Sequence, residues 1–336
     1  MTQSGRIRWV LLLALIAGAL SAAAFWAWRE YQRFTLATLQ GSDEVIEFKR
    51  GESLPTFVAK LKDRGVSAAP EWQWRLLAQQ MQVAQKLQAG EYRIGSNATP
   101  RSLLQAVADG KVVQYRFTIL EGTRFRDLRV ALASVPELES TLTGLPDNDV
   151  LTRIGATEAH PEGLFLPDTY FFPRGFSDLD LLKRAYWEQK ELLERLWQKR
   201  QENLPLSDPY EALILASVIE KETGKAAERP LIAGVFVNRL RQGWRLQTDP
   251  TVIYGLGDAF DGNLKRVHLE TDTPYNTYTR FGLPPTPIAL PSPAAIEAAL
   301  QPQATEAMYF VAKGDGSHQF SRTLEEHNRA VREYQL

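Results

Sequence analysis

Residues Trp9 to Trp28, WVLLLALIAGALSAAAFWAW, form a run of twenty without a single charged side chain. An α-helix rises about 1.5 Å per residue, so the run is long enough to cross the ~30 Å hydrocarbon core of a bilayer. Arg6 and Arg8 precede it and Arg29 comes directly after. Trp9, Phe25, Trp26 and Trp28 stand at its ends, where amphipathic rings favour the membrane interface. The competing reading is a cleaved signal peptide, with Ser21 to Ala24 as the small-residue cleavage region. Segment length and the terminal aromatics favour an uncleaved anchor. No second apolar run approaches the ~18 residues a span requires, so the rest lies on one side of the membrane. The positive-inside rule places a basic N-terminus, 1–8, in the cytoplasm and exports the chain beyond the 9–28 span.

Composition narrows the chemistry. The formal net charge is −1, from 39 Lys plus Arg against 40 Asp plus Glu, so no global field draws the chain to nucleic acid. With no cysteine there is no disulfide, thiolate nucleophile or Cys-ligated metal. His160, His268, His318 and His327 form no HxxxH-type pair. Neither a metal nor an organic cofactor is expected.

Beyond a linker at 29–44, the pattern predicts an α+β protein in two parts. In 45–115, Val45–Phe48 alternates like a strand, and Gly51–Leu54 reads as a turn leading into a helix with Phe57, Val58, Leu61 and Val66 on one stripe. A Trp- and Leu-rich helix, a strand at Gly90–Ile94 and a helix at Thr99–Ala108 come next. A strand–turn–helix pattern recurs at Tyr115–Leu132, a loose internal repeat. The segment KRGESLPTFVAKLKDRGV, Lys49–Val66, resembles the start of a LysM module, a family that binds the glycan of peptidoglycan or chitin.

The larger part, 116–336, carries the chemistry. Asp208 and Pro209 have the character of an N-cap and first helical residue. The helix they open, Tyr210–Thr223, is apolar nearly all round, as a core helix is, and ends before Gly224. A further helix runs from about Ala227 to the residue before Gly243, and a last one covers Leu324–Tyr334. The Pro- and Gly-rich stretch between those two reads mainly as loops, and Pro285, Pro287, Pro291 and Pro293 forbid a central strand there.

Glu220 and Glu222 stand at the end of the core helix. The helix dipole and apolar neighbours both oppose ionisation there, which suits a proton donor working near neutral pH. Two positions apart, they point to roughly opposite sides. Glu222 shares a stripe with Leu215, Val218 and Ile219, the bulkier apolar surroundings, while Glu220 shares its own with Leu213, Ala216 and Ser217. The plainer alternative is a frayed helix end paired with Lys221, Lys225 or Arg229. Downstream loops rich in Gln, Asn, Thr, Asp and Tyr suit sugar binding, and suit structural turns equally.

The run LASVIEKETGKAAERPLIAGVFVNRLRQGWRLQTDPTVIYG, Leu215–Gly255, closely resembles the YceG-like family of endolytic murein transglycosylases. So do EGLFLPDTY at 162–170, YNTYTRFGLPPTPIALP at 275–291 and YFVAKGDGSHQFSRTLEEHN at 309–328. The resemblance covers most of 45–336. It implies a single-pass inner-membrane enzyme with a periplasmic domain, a LysM-like subdomain at 45–115 and a catalytic domain at 116–336. Its substrate would be nascent peptidoglycan, and its partners would include peptidoglycan synthases, the penicillin-binding proteins. Lytic transglycosylases and goose-type lysozymes place the catalytic Glu at a helix end directly before Ser or Thr. That pattern falls on Glu222, before Thr223, and leaves Glu220 as the second candidate. Gln247, Asp249, Tyr254, Tyr275, Asn276 and Tyr278 are expected along the glycan, unless Asn276 and Asp249 only cap turns.

One carboxyl suffices for such a reaction. It would protonate the oxygen between MurNAc and GlcNAc, then as a base release the C6 hydroxyl to close a 1,6-anhydro ring. A glycoside hydrolase usually needs two carboxyls, for which Asp249 or Glu228 would be the second. A different class of function is a non-catalytic, membrane-anchored scaffold that binds glycan and organises cell-wall synthases.

Overall fold

The computed structural model describes residues 3–335, with side chains from residue 9 onward. Arg6 and Arg8, on which the orientation at the membrane rests, lie outside the described side chains. The chain is α+β and divides into two compact units: one reaches to Tyr115 and includes Phe172–Arg174, the other comprises Arg116–Phe171 and the chain from Gly175 onward.

The first unit begins with α1, Gln3–Leu36. Its most apolar stretch has no buried residue. The helix does not stop at Trp28. It continues through most of the first turns expected as linker, and there Tyr31 and Phe34 enter a core. The Phe34 ring meets Trp74 edge-on, with centroids 5.1 Å apart. The elements around that core are β1 (Val45–Phe48), α2 (Leu54–Asp63), α3 (Glu71–Gln80), β2 (Gly90–Arg93) and α4 (Pro100–Ala108). β1 and β2 pair antiparallel, with Ile46 opposite Tyr92, so alternate residues turn inward. Ser53 caps α2, and Thr99 and Ser102 form a reciprocal capping box on α4. Phe57, Leu61, Trp74, Leu77 and Leu104 are fully buried between these elements.

The second unit opens within β3 (Tyr115–Thr118), which is followed by α5 (Phe125–Ala133), β4 (Leu138–Glu139) and α6 (Asp147–Ile154). Next come β5 (Thr169–Phe172), β6 (Phe176–Ser177), α7 (Asp178–Trp197), α8 (Pro209–Glu222) and α9 (Arg229–Arg241). Each sheet among the described residues is only two strands wide: β3 with β5, β4 with β6, and later β7 with β8. The core is therefore helical. At its centre α8 packs against α7, α9 and a later helix, Pro293–Leu300. Asp208 accepts from Glu211 N at 2.9 Å and Pro209 opens the helix, as its sequence predicts. Every residue from Ala212 to Ile219 is buried.

The stretch expected to be mainly loops contains more structure than that. It holds α10 (Asp249–Leu256), α11 (Arg266–Glu270), α12 (Pro293–Leu300) and a hairpin of β7 (Tyr309–Ala312) with β8 (His318–Ser321), before α13 (Leu324–Tyr334) closes the unit. The prolines mislead because two of them begin helices. Pro250 and Pro293 occupy first-turn positions, where a missing N–H costs nothing.

The chain leading into β7 runs hard against α9. Asn238 Nδ2 donates to the carbonyl oxygens of Thr305 and Ala307 at 2.8 and 3.2 Å. Gly234 makes that approach possible: a Cβ there would lie 2.3 Å from the Gln303 carbonyl oxygen and 2.9 Å from Thr305 Cγ2. Gly234→Ala improves helix propensity by about 1 kcal/mol, yet forces this strap away. We expect a net loss of about 1–3 kcal/mol, read as a lower melting temperature. An unchanged or higher one would show that the strap moves freely.

Candidate active site

Two carboxylates leave the last turn of α8, and their surroundings differ completely. Glu220 is saturated. Its Oε1 receives Arg229 Nη2 at 3.2 Å. Its Oε2 accepts from the Ser292 backbone N–H at 3.0 Å and from the Ser292 hydroxyl. Ser292 is also the N-cap of α12. Glu220 therefore ties the end of α8 to the start of α12 and to Arg229, with little of its side chain exposed. The helix-end ion pair foreseen as the plainer alternative is the situation of Glu220.

Glu222 has no ion-pair partner among the described residues. The Thr248 hydroxyl donates to its Oε1, and Oε2 is left without a protein partner among those residues. The side chain is half-buried. Burial, the largest effect, pushes its carboxyl from 4.5 up to about 7. The Asp249 carboxylate pushes the same way, while the Thr248 hydrogen bond, His318 and Arg239 oppose it. A carboxyl balanced there can hold a proton near neutral pH and can also give it up.

Thr248 owes its position to a hydroxyl cluster. It is the N-cap residue of α10, and its N–H donates to Thr277 Oγ1 at 3.1 Å. Thr251 Oγ1 donates to the Thr248 carbonyl at 2.8 Å and lies 2.9 Å from Thr277 Oγ1. The preceding residue, Gln247, takes φ of +51°, uncommon for a side-chain-bearing residue. Its N–H donates to the Thr277 carbonyl at 3.1 Å, and its side chain is exposed. Arg239, buried on α9, donates to the carbonyl oxygens of Leu246 and Met308 and so holds the same loop from behind. Asp249, exposed at the start of α10, accepts from the Tyr278 hydroxyl at 2.6 Å.

The structure thus brings Glu222, Gln247, Asp249 and Tyr278 into one constellation through Thr248. Tyr254 and Tyr275 form a second group, ring to ring at 4.9 Å. Tyr254 donates to Glu162 Oε2 at 3.1 Å, and Tyr275 and Thr286 hydroxyls are 2.8 Å apart. Asn276 is different. Its side chain is fully buried, donating to the carbonyls of His268, Leu269 and Thr271 and accepting from Tyr278 N–H. It fixes the loop that presents Tyr275 and Tyr278, and its amide is spent on that task.

Sequence reasoning passed over three groups. Thr248 is the direct partner of Glu222, and its Thr-Asp-Pro helix-start signature could have drawn attention. Glu162 is buried, with its carboxyl pushed by burial up to about 7, and holds Phe125 N–H at 2.9 Å as well as Tyr254. His318 Nδ1 lies 2.7 Å from Glu228 Oε2, linking β8 to the segment after α8. No sequence signal pairs residues ninety apart. Among the described residues, no three of His, Cys, Asp and Glu converge as a metal site.

With this geometry in place, the similarities fall into line. Residues 46–333 match the model of the YceG-like family. The endolytic murein transglycosylase of Bacillus subtilis strain 168 is 32% identical over 271 residues, covering 75% of this chain and 74% of that protein. The endolytic murein transglycosylase of Streptococcus pneumoniae D39 is 31% identical over 217 residues, 61% of this chain, which spans 36% of the pneumococcal protein. A crystal structure of a yceG-like protein from Listeria monocytogenes superposes with a TM-score of 0.53 at 26% identity, over 86% of this chain and 98% of that one.

The raised carboxyl makes a prediction about stability. Below about pH 4.5, Glu222 is protonated both folded and unfolded and costs nothing. As pH rises toward about 7, the unfolded state ionises first, and the folded state loses stability on the order of 3 kcal/mol. Glu222→Gln is free of that cost. Its melting temperature should match wild type near pH 4, exceed it increasingly up to about pH 7, and keep a constant lead above. A constant difference across the whole range would show an unperturbed carboxyl.

Proposed function

This chain belongs to the YceG-like family, and on that premise we propose that it is an endolytic murein transglycosylase held in the inner membrane by α1, its two compact units in the periplasm. The observation that carries the reading is the contrast at the end of α8. Glu220 is consumed by structure, whereas Glu222 has one oxygen without a partner among the described residues and a pKa raised to about 7 by burial.

Glu222 acts first as an acid. With Thr248 fixing Oε1, the free oxygen delivers its proton to the glycosidic oxygen between MurNAc and GlcNAc, and the bond to C1 breaks with oxocarbenium character. The carboxylate then stabilises the developing positive charge. It next accepts the proton of the MurNAc C6 hydroxyl as that oxygen closes on C1. The ring ends as 1,6-anhydro-MurNAc, Glu222 is protonated again, and no water enters. Arg239 and His318 favour the transient carboxylate, and Asp249 favours return to the acid.

Gln247 and Asp249, on either side of Thr248, and Tyr278, bonded to Asp249, are assigned to the sugar at the cut. Tyr254 and Tyr275 offer ring faces and hydroxyls farther along the strand. Asn276 acts by holding their loop. The first unit is assigned to glycan binding as a LysM-like module, a reading supported by its β-α-α-β order and antiparallel β1–β2 pair. Strand synthesis must precede such cutting, which makes peptidoglycan synthases the natural partners.

Digestion of purified glycan strands tests this, with mass analysis of the new ends. Wild type should yield anhydro ends, and Glu222→Gln should lose them by ~10²–10⁴-fold or more, because one group serves both half-steps. Glu220→Gln should melt earlier but keep the same product. Ends heavier by one water would favour a hydrolase using Asp249. Near wild-type cutting by Glu222→Gln would overturn the assignment.

A further inference from the structure

The first unit carries an aromatic row that runs from the end of the apolar helix onto its own surface. Trp28 closes the uncharged run and is exposed. Its ring lies 6.0 Å from that of Tyr31. Tyr31 in turn stacks on Trp72, at 6.5 Å and 30° between planes. Tyr31 is buried, but Trp72, on α3, leaves 46% of its surface uncovered. With Trp28 it carries the apolar surface of the run onto the module, and a continuous exposed apolar surface of this kind marks an interaction site.

The geometry says how far this row is from lipid. Residue 31 stands three positions beyond residue 28, about 4.5 Å along the helix axis. The polar zone of a bilayer is about 5–8 Å deep on each side, the difference between a ~30 Å core and ~40–45 Å in all. With Trp28 at the hydrocarbon boundary, Tyr31 and the ring stacked on it fall inside that zone. Helix α1 is unbroken from the apolar run to Leu36, and Tyr31 and Phe34 are fixed in the module's core, so no hinge separates the two. Exposed Arg29 directly follows Trp28 and exposed Arg101 acts on Tyr31, so headgroup phosphates would meet both, while Arg75, one turn from Trp72, is paired with Glu71 at 2.6 Å.

We infer that the first unit rests on the bilayer that α1 crosses, through a surface centred on Trp72 whose partner is the lipid headgroup layer. The inference depends on α1 being a membrane anchor, as proposed above. Its consequence is a fixed height: the module that would hold glycan is set against the membrane rather than tethered at a variable distance from it.

The absence of cysteine makes the test direct. Single cysteines are introduced into the full chain by Leu15→Cys, Trp72→Cys, Arg75→Cys and Lys49→Cys. Each is labelled with an environment-sensitive fluorophore and reconstituted in vesicles of phosphatidylethanolamine and phosphatidylglycerol bearing shallow or deep nitroxide lipids. The Leu15→Cys label should be quenched by the deep nitroxide, which establishes insertion. Labels at Trp72→Cys and Arg75→Cys should be quenched by the shallow nitroxide more than by the deep one, and more than the label at exposed Lys49→Cys. Arg75, one turn along the same helix face and well exposed, guards against a folding defect from the tryptophan change. If the Leu15→Cys label is quenched while both α3 labels behave like Lys49→Cys, the surface contact is wrong and the anchor stands. If the Leu15→Cys label is not quenched, the anchor reading falls and this inference with it.

Discussion

The proposed chemistry rests on a half-buried carboxyl that has no counter-charge in contact among the described residues. Taking an ionised carboxylate out of water is costly unless it is paired, and the group responds by holding its proton more tightly. Among the described residues Glu222 receives a single hydrogen bond, from Thr248. Glu220, two residues earlier on the same helix, has an arginine, a backbone N–H and a hydroxyl. One helix end thus supplies both a structural carboxylate and the one proposed to react, and partner count separates them.

Much of the second unit serves to keep Glu222 in that condition. The apolar length of α8 fixes where the helix ends, and Glu220 clamps that end to the cap of α12. The Thr251 and Thr277 hydroxyls bond each other and the Thr248 backbone, which fixes Thr248 while leaving its own hydroxyl to Glu222. Arg239 and Asn276 act from behind, binding backbone carbonyls of the loops that carry Gln247 and Tyr278. Polar groups spent on backbone in this way rigidify a site without touching its substrate.

The helices of the core are legible in the sequence because their signals are local: an Asp-Pro start, an apolar run and a Gly after the end at α8. The choice of Glu222 over Glu220 came from helix faces and from the resemblance, and the geometry supplies a physical reason for it. The region after α9 is harder to read. There short helices start on proline, and the hairpin β7–β8 draws its role from a partner, Glu228, far away in sequence. Asn276 shows the same limit. Its residue type and loop setting suit a sugar ligand and a loop brace equally, and only burial separates the two. The continuation of α1 past Trp28 is hidden because Arg29 to Leu36 is mixed in polarity, and its apolar face is defined only by the module it packs on.

The most direct test of the central claim is the titration of Glu222 itself, by 13C NMR of carboxyl-labelled glutamate in the folded protein. Glu162 shares a pKa raised to about 7, so the resonance is identified by its disappearance in Glu222→Gln. The expected signal titrates near pH 7, well above the ordinary 4.5. A Glu222 resonance titrating near 4.5 would mean that the carboxyl is solvated and ionised throughout, and that the acid of the reaction must be sought elsewhere.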